Sequence, residues 1–284
     1  MENGGGGEHR PWMFDDETVH IYRKFVQEHY KLIPYMLTVG NQARENGVST
    51  LAPLATKDPS KPYLFPEPTT YSYLIGKNLL VHPIVTNMVA PEEDEDPAVV
   101  KASQVRMDFP GDVNTQWVDY FKPWDADSVQ PGNSSSRAAV RFGDYPVFAR
   151  RGSLVPMAPE ISRESMTADY DYANSPVLFT WFAPVGPADT VSAEVREYEG
   201  SGLIGTATLS AEGVFSGSIS SHETRSGGFA IYGITEPENV EVEQTKLSVP
   251  CTHVYLEKET KLTVRCSSLN GGVKVTATGM KNSF

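Results

Sequence analysis

Two cysteines, six histidines and one dense acidic run are the groups in this 284-residue chain whose types and spacing suggest reactive or metal-binding chemistry. Cys251 and Cys266 lie in two strand-like stretches, Val249 to Leu256 and Lys261 to Cys266, joined near Lys258-Glu259. A two-residue turn there pairs Glu257 with Thr260 and, continuing the register, Cys251 with Cys266. A disulfide would then need Cα atoms within about 6.8 Å and a permissive compartment. Two cysteines are too few for a disulfide scaffold or a zinc ribbon. His82 sits in an apolar strand, as a hydrogen-bonded core histidine would, while His20 and His29 fall on a helix. No metal-ligand set emerges from them. Glu92-Glu93-Asp94-Glu95-Asp96 lies between Pro91 and Pro97. A calcium loop spaces its ligands around a glycine turn, and this run does not. It reads as a solvated insertion between strands. Asn133-Ser134-Ser135 is an N-glycosylation sequon, which matters only in a secretory protein.

Charge and composition narrow the classes. There are 24 basic and 36 acidic residues, a net charge of −12. A nucleic-acid binder needs a basic stripe to release counterions, so no nucleic-acid partner is expected. No apolar run approaches the ~20 residues of a membrane span. Gly4 to Gly7 lead into Glu8-His9-Arg10-Pro11-Trp12 without a basic and then apolar segment, so the first residues do not read as a secretory signal. The compartment stays unassigned.

The elements that would position these groups begin with one long helix from Asp15 to Asn46-Gly47. Asp15 or Asp16 caps it, Glu17 favours its dipole, and Gly47 ends it. Pro34 should kink it, because proline removes a hydrogen bond and crowds the preceding turn. Val19, Tyr22, Val26, Tyr30, Ile33 and Leu37 form an apolar face. Nothing else in the chain reads as a comparable helix partner, so this face is expected to be exposed and residues 8–54 to be the least stable part. After Ser49 the pattern is β. Strands are expected at Val48–Leu54, Leu79–Val85, Gln104–Phe109, Trp117–Phe121, Ala139–Phe142, Val147–Arg150, Val177–Phe182, Thr206–Leu209 and Val273–Ala277, with a short helix from Thr69 to Ile75. Pro, Gly, Asp and Asn between them give the spacing of β-sandwiches, with a boundary near residue 170.

Several stretches resemble one family. Leu32-Ile33-Pro34-Tyr35-Met36-Leu37-Thr38, with Ala43 and Gly47, is similar to the "LLPYLYT…A…G" helix of glycoside hydrolase family 31, the α-glucosidases, α-xylosidases and relatives. Pro53-Leu54 matches the end of "RPL", with Ala52 in place of the arginine. Tyr73 to Ile84 resembles "FMLG..LLVAPV", Trp117-Val118-Asp119-Tyr120-Phe121 resembles "WYD", and Pro146 to Pro156 resembles "PVFVRRGSIIP". Val195 to Gly200 is only weakly similar to "LYEDDG". The resemblance implies a mainly β chain: the end of a (β/α)8 barrel, kept as one long helix and a strand (1–56), then a proximal (57–170) and a distal (171–284) β-sandwich.

The same resemblance implies retaining hydrolysis of α-glycosidic bonds without metal or organic cofactor. Such chemistry needs two carboxyl groups about 5–5.5 Å apart. The family's "DMNE" and "GDN" aspartate motifs do not occur in this sequence, so no catalytic residue is assigned. Gly111-Asp112-Val113-Asn114 is only superficially like the second. Asn3 stands where the family places a substrate-binding histidine, with His9 and Arg10 flanking the same loop; these three are the candidate substrate contacts. The partners implied are an α-linked glycoside, in a full-length protein, and a missing barrel segment covering the helix. The expectation is the C-terminal portion of a family 31 hydrolase, inactive by itself. A different reading is a stand-alone carbohydrate-binding or scaffold protein, in which Trp124 and Trp181 could stack on sugar rings.

Overall fold

A computed structural model describes residues 10–54, 71–85, 102–159, 175–186, 189–196, 202–221, 225–244 and 250–283. The acidic run, the polyglycine start, Asn3, His9 and Glu197 to Gly200 lie outside the described residues.

The helical segment is two helices, α1 (Asp16–Lys31) and α2 (Ile33–Asn46), broken at Leu32. Asp15 Oδ1 accepts the Thr18 amide at 2.6 Å and caps α1. Pro34 in the first turn of α2 has no N–H to continue the ladder, and its ring crowds the carbonyl one turn back, which places the break. Gly47, at φ 68°, closes α2 in the left-handed region.

Among the described residues nine strands follow before residue 160: β1 (Leu51–Pro53), β2 (Tyr73–Ile75), β3 (Leu79–Val81), β4 (Ala102–Phe109), β5 (Gln116–Asp119), β6 (Gln130–Pro131), β7 (Ser134–Arg141), β8 (Val147–Arg150) and β9 (Leu154–Met157). They make a six-stranded sheet, β1-β2-β3-β8-β5-β6, and a β4–β7 ribbon, while β9 leaves to join the next sheet. Alternate residues of the six-stranded sheet serve two cores. Leu74, Leu80, Trp117 and Phe148 pack on Met107, Phe109 and Val140 of the ribbon. Leu79, Val81, Val118 and Ala149 face Leu32, Tyr35 and Val39 of the helical layer. A strand buried on both faces reads as a continuous apolar run, as β3 does.

Nine more strands follow among the described residues: β10 (Val177–Trp181), β11 (Asp189–Val195), β12 (Leu203–Leu209), β13 (Phe215–Ser220), β14 (Gly227–Tyr232), β15 (Asn239–Gln244), β16 (Cys251–Leu256), β17 (Lys261–Cys266) and β18 (Val273–Thr278). Sheets β16-β17-β14-β10-β9 and β11-β12-β13-β18-β15 close over a core that includes Phe179, Trp181, Phe215 and Phe229. Each such side chain withdrawn from water contributes roughly 1.5–3 kcal/mol.

Three expectations change. Tyr73–Ile75 is a strand, not the end of a helix: it pairs with β1 and β3, and Gly76 at φ 56° turns the chain between them. The helical segment does have partners within the chain. Its inward stripe is Ile21, Phe25, Glu28, Leu32, Tyr35 and Val39, offset from the stripe expected. Phe25 packs edge-on against Phe121 and Tyr145, with ring centroids 6.1 and 5.7 Å apart. Tyr35 is buried and its hydroxyl straps the β2–β3 turn, donating to the Ile75 carbonyl at 2.9 Å and accepting the Asn78 amide at 3.2 Å. Burial pushes that phenol up to about 12. Farther along α2, Thr38 Oγ1 accepts the Arg196 amide at 3.0 Å and Asn41 Nδ2 donates to the Arg196 carbonyl at 2.9 Å, which ties the helix to the distal sandwich. Of the outward stripe, Tyr22 is exposed, whereas Val26, Tyr30 and Ile33 are half-buried. Trp181, the third change, is taken up with the site below.

Candidate functional site

A groove of about 480 Å³ opens where α1, the segment after β5 and the outer face of the β16-β17-β14-β10-β9 sheet converge. The sheet contributes Tyr232 at the end of β14 and Lys261 and Arg265 on β17; α1 contributes Glu28; the loop contributes Tyr120 and Trp124. Alternation on β17 puts Lys261, Thr263 and Arg265 on the groove face while Leu262, Val264 and Cys266 enter the core.

Aromatic rings line one wall in sequence. Tyr120 stacks on Phe182 at 5.8 Å, Phe182 on Tyr232 at 6.0 Å, and Tyr232 on Trp124 at 6.0 Å. Lys261 Nζ sits 4.8 Å above the Tyr232 ring. Burial opposes the charge on Lys261, but the Tyr232 hydroxyl and Glu259 outweigh it, so its pKa moves up. The Tyr120 hydroxyl donates to Glu28 Oε2 at 3.0 Å. Burial and then the Glu28 charge push that phenol well above its ordinary value. Lys31 Nζ meets Glu28 Oε1 at 3.0 Å, and Lys261 Nζ meets Glu259 at 3.4 Å. Ring faces with amino and hydroxyl groups suit contact with a polyhydroxylated molecule. Both of these carboxylates, Glu28 and Glu259, are paired with a lysine.

Arg10 is exposed at the N-cap of the short turn Pro11–Met13 and is not among the residues lining the groove. Asp112 Oδ1 accepts the Asn114 and Thr115 amides at 3.0 Å and the Thr115 hydroxyl at 2.9 Å. The Thr115 hydroxyl and the Asn114 amide hold its pKa below the usual carboxylate value. Asp119 Oδ1 accepts the Phe121 amide at 2.7 Å and the Lys122 amide at 3.2 Å, and burial raises its pKa. Each carboxylate shapes a local turn, and the structure does not unite them in a site. Trp124 lines the groove, but Trp181 is fully buried with its Nε1 donating to the Gly152 carbonyl at 3.0 Å, which removes it as a sugar platform. His20 and His29 are exposed on α1. His82 is buried, its Nδ1 2.7 Å from Ser72 Oγ. No cluster of three metal-ligating side chains exists among the described residues.

Tyr120 lay within a motif that the sequence displayed, but Glu28, Tyr232 and Lys261 belong to none. They meet only because three layers of the fold converge.

Against known proteins, residues 47–155 match the glycosyl hydrolase family 31 C-terminal domain. Curated relatives include the human neutral alpha-glucosidase C, 27% identical over 157 residues, covering 55% of this chain and 15% of that protein. Alpha-glucosidase 2 of Bacillus thermoamyloliquefaciens is 24% identical over 163 residues, covering 56% of this chain and 17% of its own length. The chain thus spans less than a fifth of these relatives. Among solved structures, a Flavobacterium johnsoniae family 31 dextranase superposes with a TM-score of 0.71 at 21% identity, over 97% of this chain and 34% of that one. The matched stretch, 47–155, spans the six-stranded sheet, its ribbon and the hairpin strapped by Tyr35. Among the described residues no helix is long and apolar enough to cross a membrane.

Proposed function

We propose that this chain is the C-terminal portion of an α-glucosidase-like family 31 hydrolase that cleaves α-linked glycosides with retention, and that the chain alone does not turn them over. In that reading residues 1–56 complete the catalytic barrel, 57–170 form the proximal sandwich and 171–284 the distal one. Asn3, His9 and Arg10 lie at the barrel's substrate end. The match of residues 47–155 to the family's C-terminal domain carries the proposal. The exposure of Trp12, Met13, Phe14 and Tyr22 supports it, because these large side chains offer a further protein layer something to cover. So does the engagement of Glu28, Asp112 and Asp119 in local contacts, since hydrolysis with retention needs one carboxylate free to attack and one carboxyl free to donate.

The test is an assay of the purified chain on an activated aryl α-glucoside beside a heat-denatured control. No turnover above the control is expected, whereas a longer product that includes both family aspartate motifs is expected to be active. Turnover that survives repurification and disappears in Asp112→Asn or Asp119→Asn would sink the proposal.

A further inference from the structure

We propose that Asn133 carries an N-linked glycan in the mature protein. Asn133-Ser134-Ser135 is the single Asn-x-Ser/Thr triplet in the sequence, and Ser134 is not proline. It lies between β6 and β7, where glycans are tolerated: Asn133 is exposed at φ 56°, and among the described residues its side chain makes no hydrogen bond. The turn under it is firmly seated. A Cβ at Gly132 would come within 2.5 Å of the Asp112 carbonyl and 2.8 Å of Thr115 Cβ, so residue 132 lies against the 112–115 loop. Left-handed geometry alone accounts for an asparagine at 133. The serine at 135 also has a structural partner, its hydroxyl bonding the buried Asp108 of the neighbouring strand β4.

A second observation bears on the compartment. Cys251 and Cys266 are joined, with Cα atoms 4.1 Å apart, and Cys266 is only 2% exposed within the distal core. Structural disulfides form and persist where the environment is oxidising, and are rare where glutathione keeps thiols reduced. The oxidising secretory lumen is also where sequons are modified. There the Asn133 Nδ2 attacks the anomeric carbon of an oligosaccharide carried on a lipid pyrophosphate. The N–C bond forms as the C–O bond to pyrophosphate breaks, the amide gives up one proton, and the lipid pyrophosphate leaves with the bonding electrons. The inference rests on the proposed reading in one respect: the address for that lumen would belong to the longer polypeptide.

Peptide mapping of the protein from its own cells, with and without peptide N-glycosidase in ¹⁸O water, tests it. The peptide containing residue 133 is expected only after treatment, as an ¹⁸O-labelled aspartate, and Cys251 and Cys266 are expected in one disulfide-linked peptide. An unmodified Asn133 peptide at full abundance before treatment, or free thiols at both cysteines, would overturn the proposal. The same map reports peptides from upstream of Met1, so failure of the longer-polypeptide reading is seen separately. Expressed through a glycosylating host, Ser135→Thr should retain the mass shift, and both Asn133→Gly and Ser135→Ala should lose it. Asn133→Gly keeps the left-handed turn, which separates the modification from a folding role. A shift that persists in Ser135→Ala would place the added mass elsewhere and refute the assignment.

Discussion

Acidification should weaken the proximal sandwich through His82. This imidazole is buried between Phe109 and Phe148, with ring centroids 5.4 and 5.7 Å away, and its Nδ1 is paired with Ser72. Among the described residues its Nε2 has no hydrogen-bond partner. Burial lowers its pKa from 6.5 to about 4, with the nearby Asp108 charge partly opposing the fall. Above 6.5 the ring is neutral in both folded and unfolded chains, and stability is undiminished. As pH falls below 6.5 the unfolded chain binds the proton first, so stability is lost until the folded ring protonates near 4. At about 1.4 kcal/mol per pKa unit, that interval corresponds to a loss on the order of 3 kcal/mol. The assay is urea unfolding of the wild type and of His82→Gln across the interval, followed by the fluorescence of Trp117 in the same core. Glutamine keeps a partner for Ser72 but does not titrate. Asp119, whose pKa burial raises, acts with the opposite sign because its protonation favours the folded state. Its contribution cancels in the difference between the two proteins. The expected result is that the stability of wild type relative to His82→Gln falls as pH drops through the interval. A difference that stays constant with pH would refute the account of His82.

The hairpin strap makes two further predictions. Tyr35→Phe removes the hydroxyl that serves both the Ile75 carbonyl and the Asn78 amide, and should cost about 1–3 kcal/mol. Hydrogen exchange at the Asn78 amide should quicken, and unchanged protection there would count against the strap. Gly76→Ala should exceed the roughly 1–2 kcal/mol of left-handed strain, because its Cβ would meet Tyr35 Oη at 2.5 Å and Val39 Cγ2 at 2.8 Å; thermal unfolding reads the loss. Replacing both Cys251 and Cys266 by alanine opens a loop with a sequence separation of 15 and should lower the stability of the distal sandwich by about 3 kcal/mol. A urea midpoint unchanged by reduction or by the double substitution would show that the bond contributes nothing there.

What the amino-acid order determined by itself was local. The register expected of a two-residue turn at Lys258-Glu259 sets Cys251 opposite Cys266, and the observed pairing keeps that register. The ladder nevertheless stops at Leu256 and Lys261, and Glu257–Glu259 forms a 3₁₀ turn in place of the expected Glu257–Thr260 pair. The Asp15 cap and the Gly47 stop are likewise properties of a few adjacent residues. Family motifs along the first half were legible as strings, and with them the mainly β architecture. Periodicity, however, names a helix face without naming what covers it. The stripe through Tyr22 and Val26 was the more regular, yet Phe25, Leu32, Tyr35 and Val39 are the side chains that meet the sheet. Tyr73 to Ile75 is only three residues long, and its identity as a strand comes from ladders to β1 and β3 on either side. Trp124 and Trp181 look equally suited to a ligand in sequence, but one lines a groove and the other is sealed in a core. Glu28, Tyr120, Tyr232 and Lys261 are spread over four segments of the chain. No short-range pattern encodes their meeting, because contacts of such separation are decided by how whole layers pack.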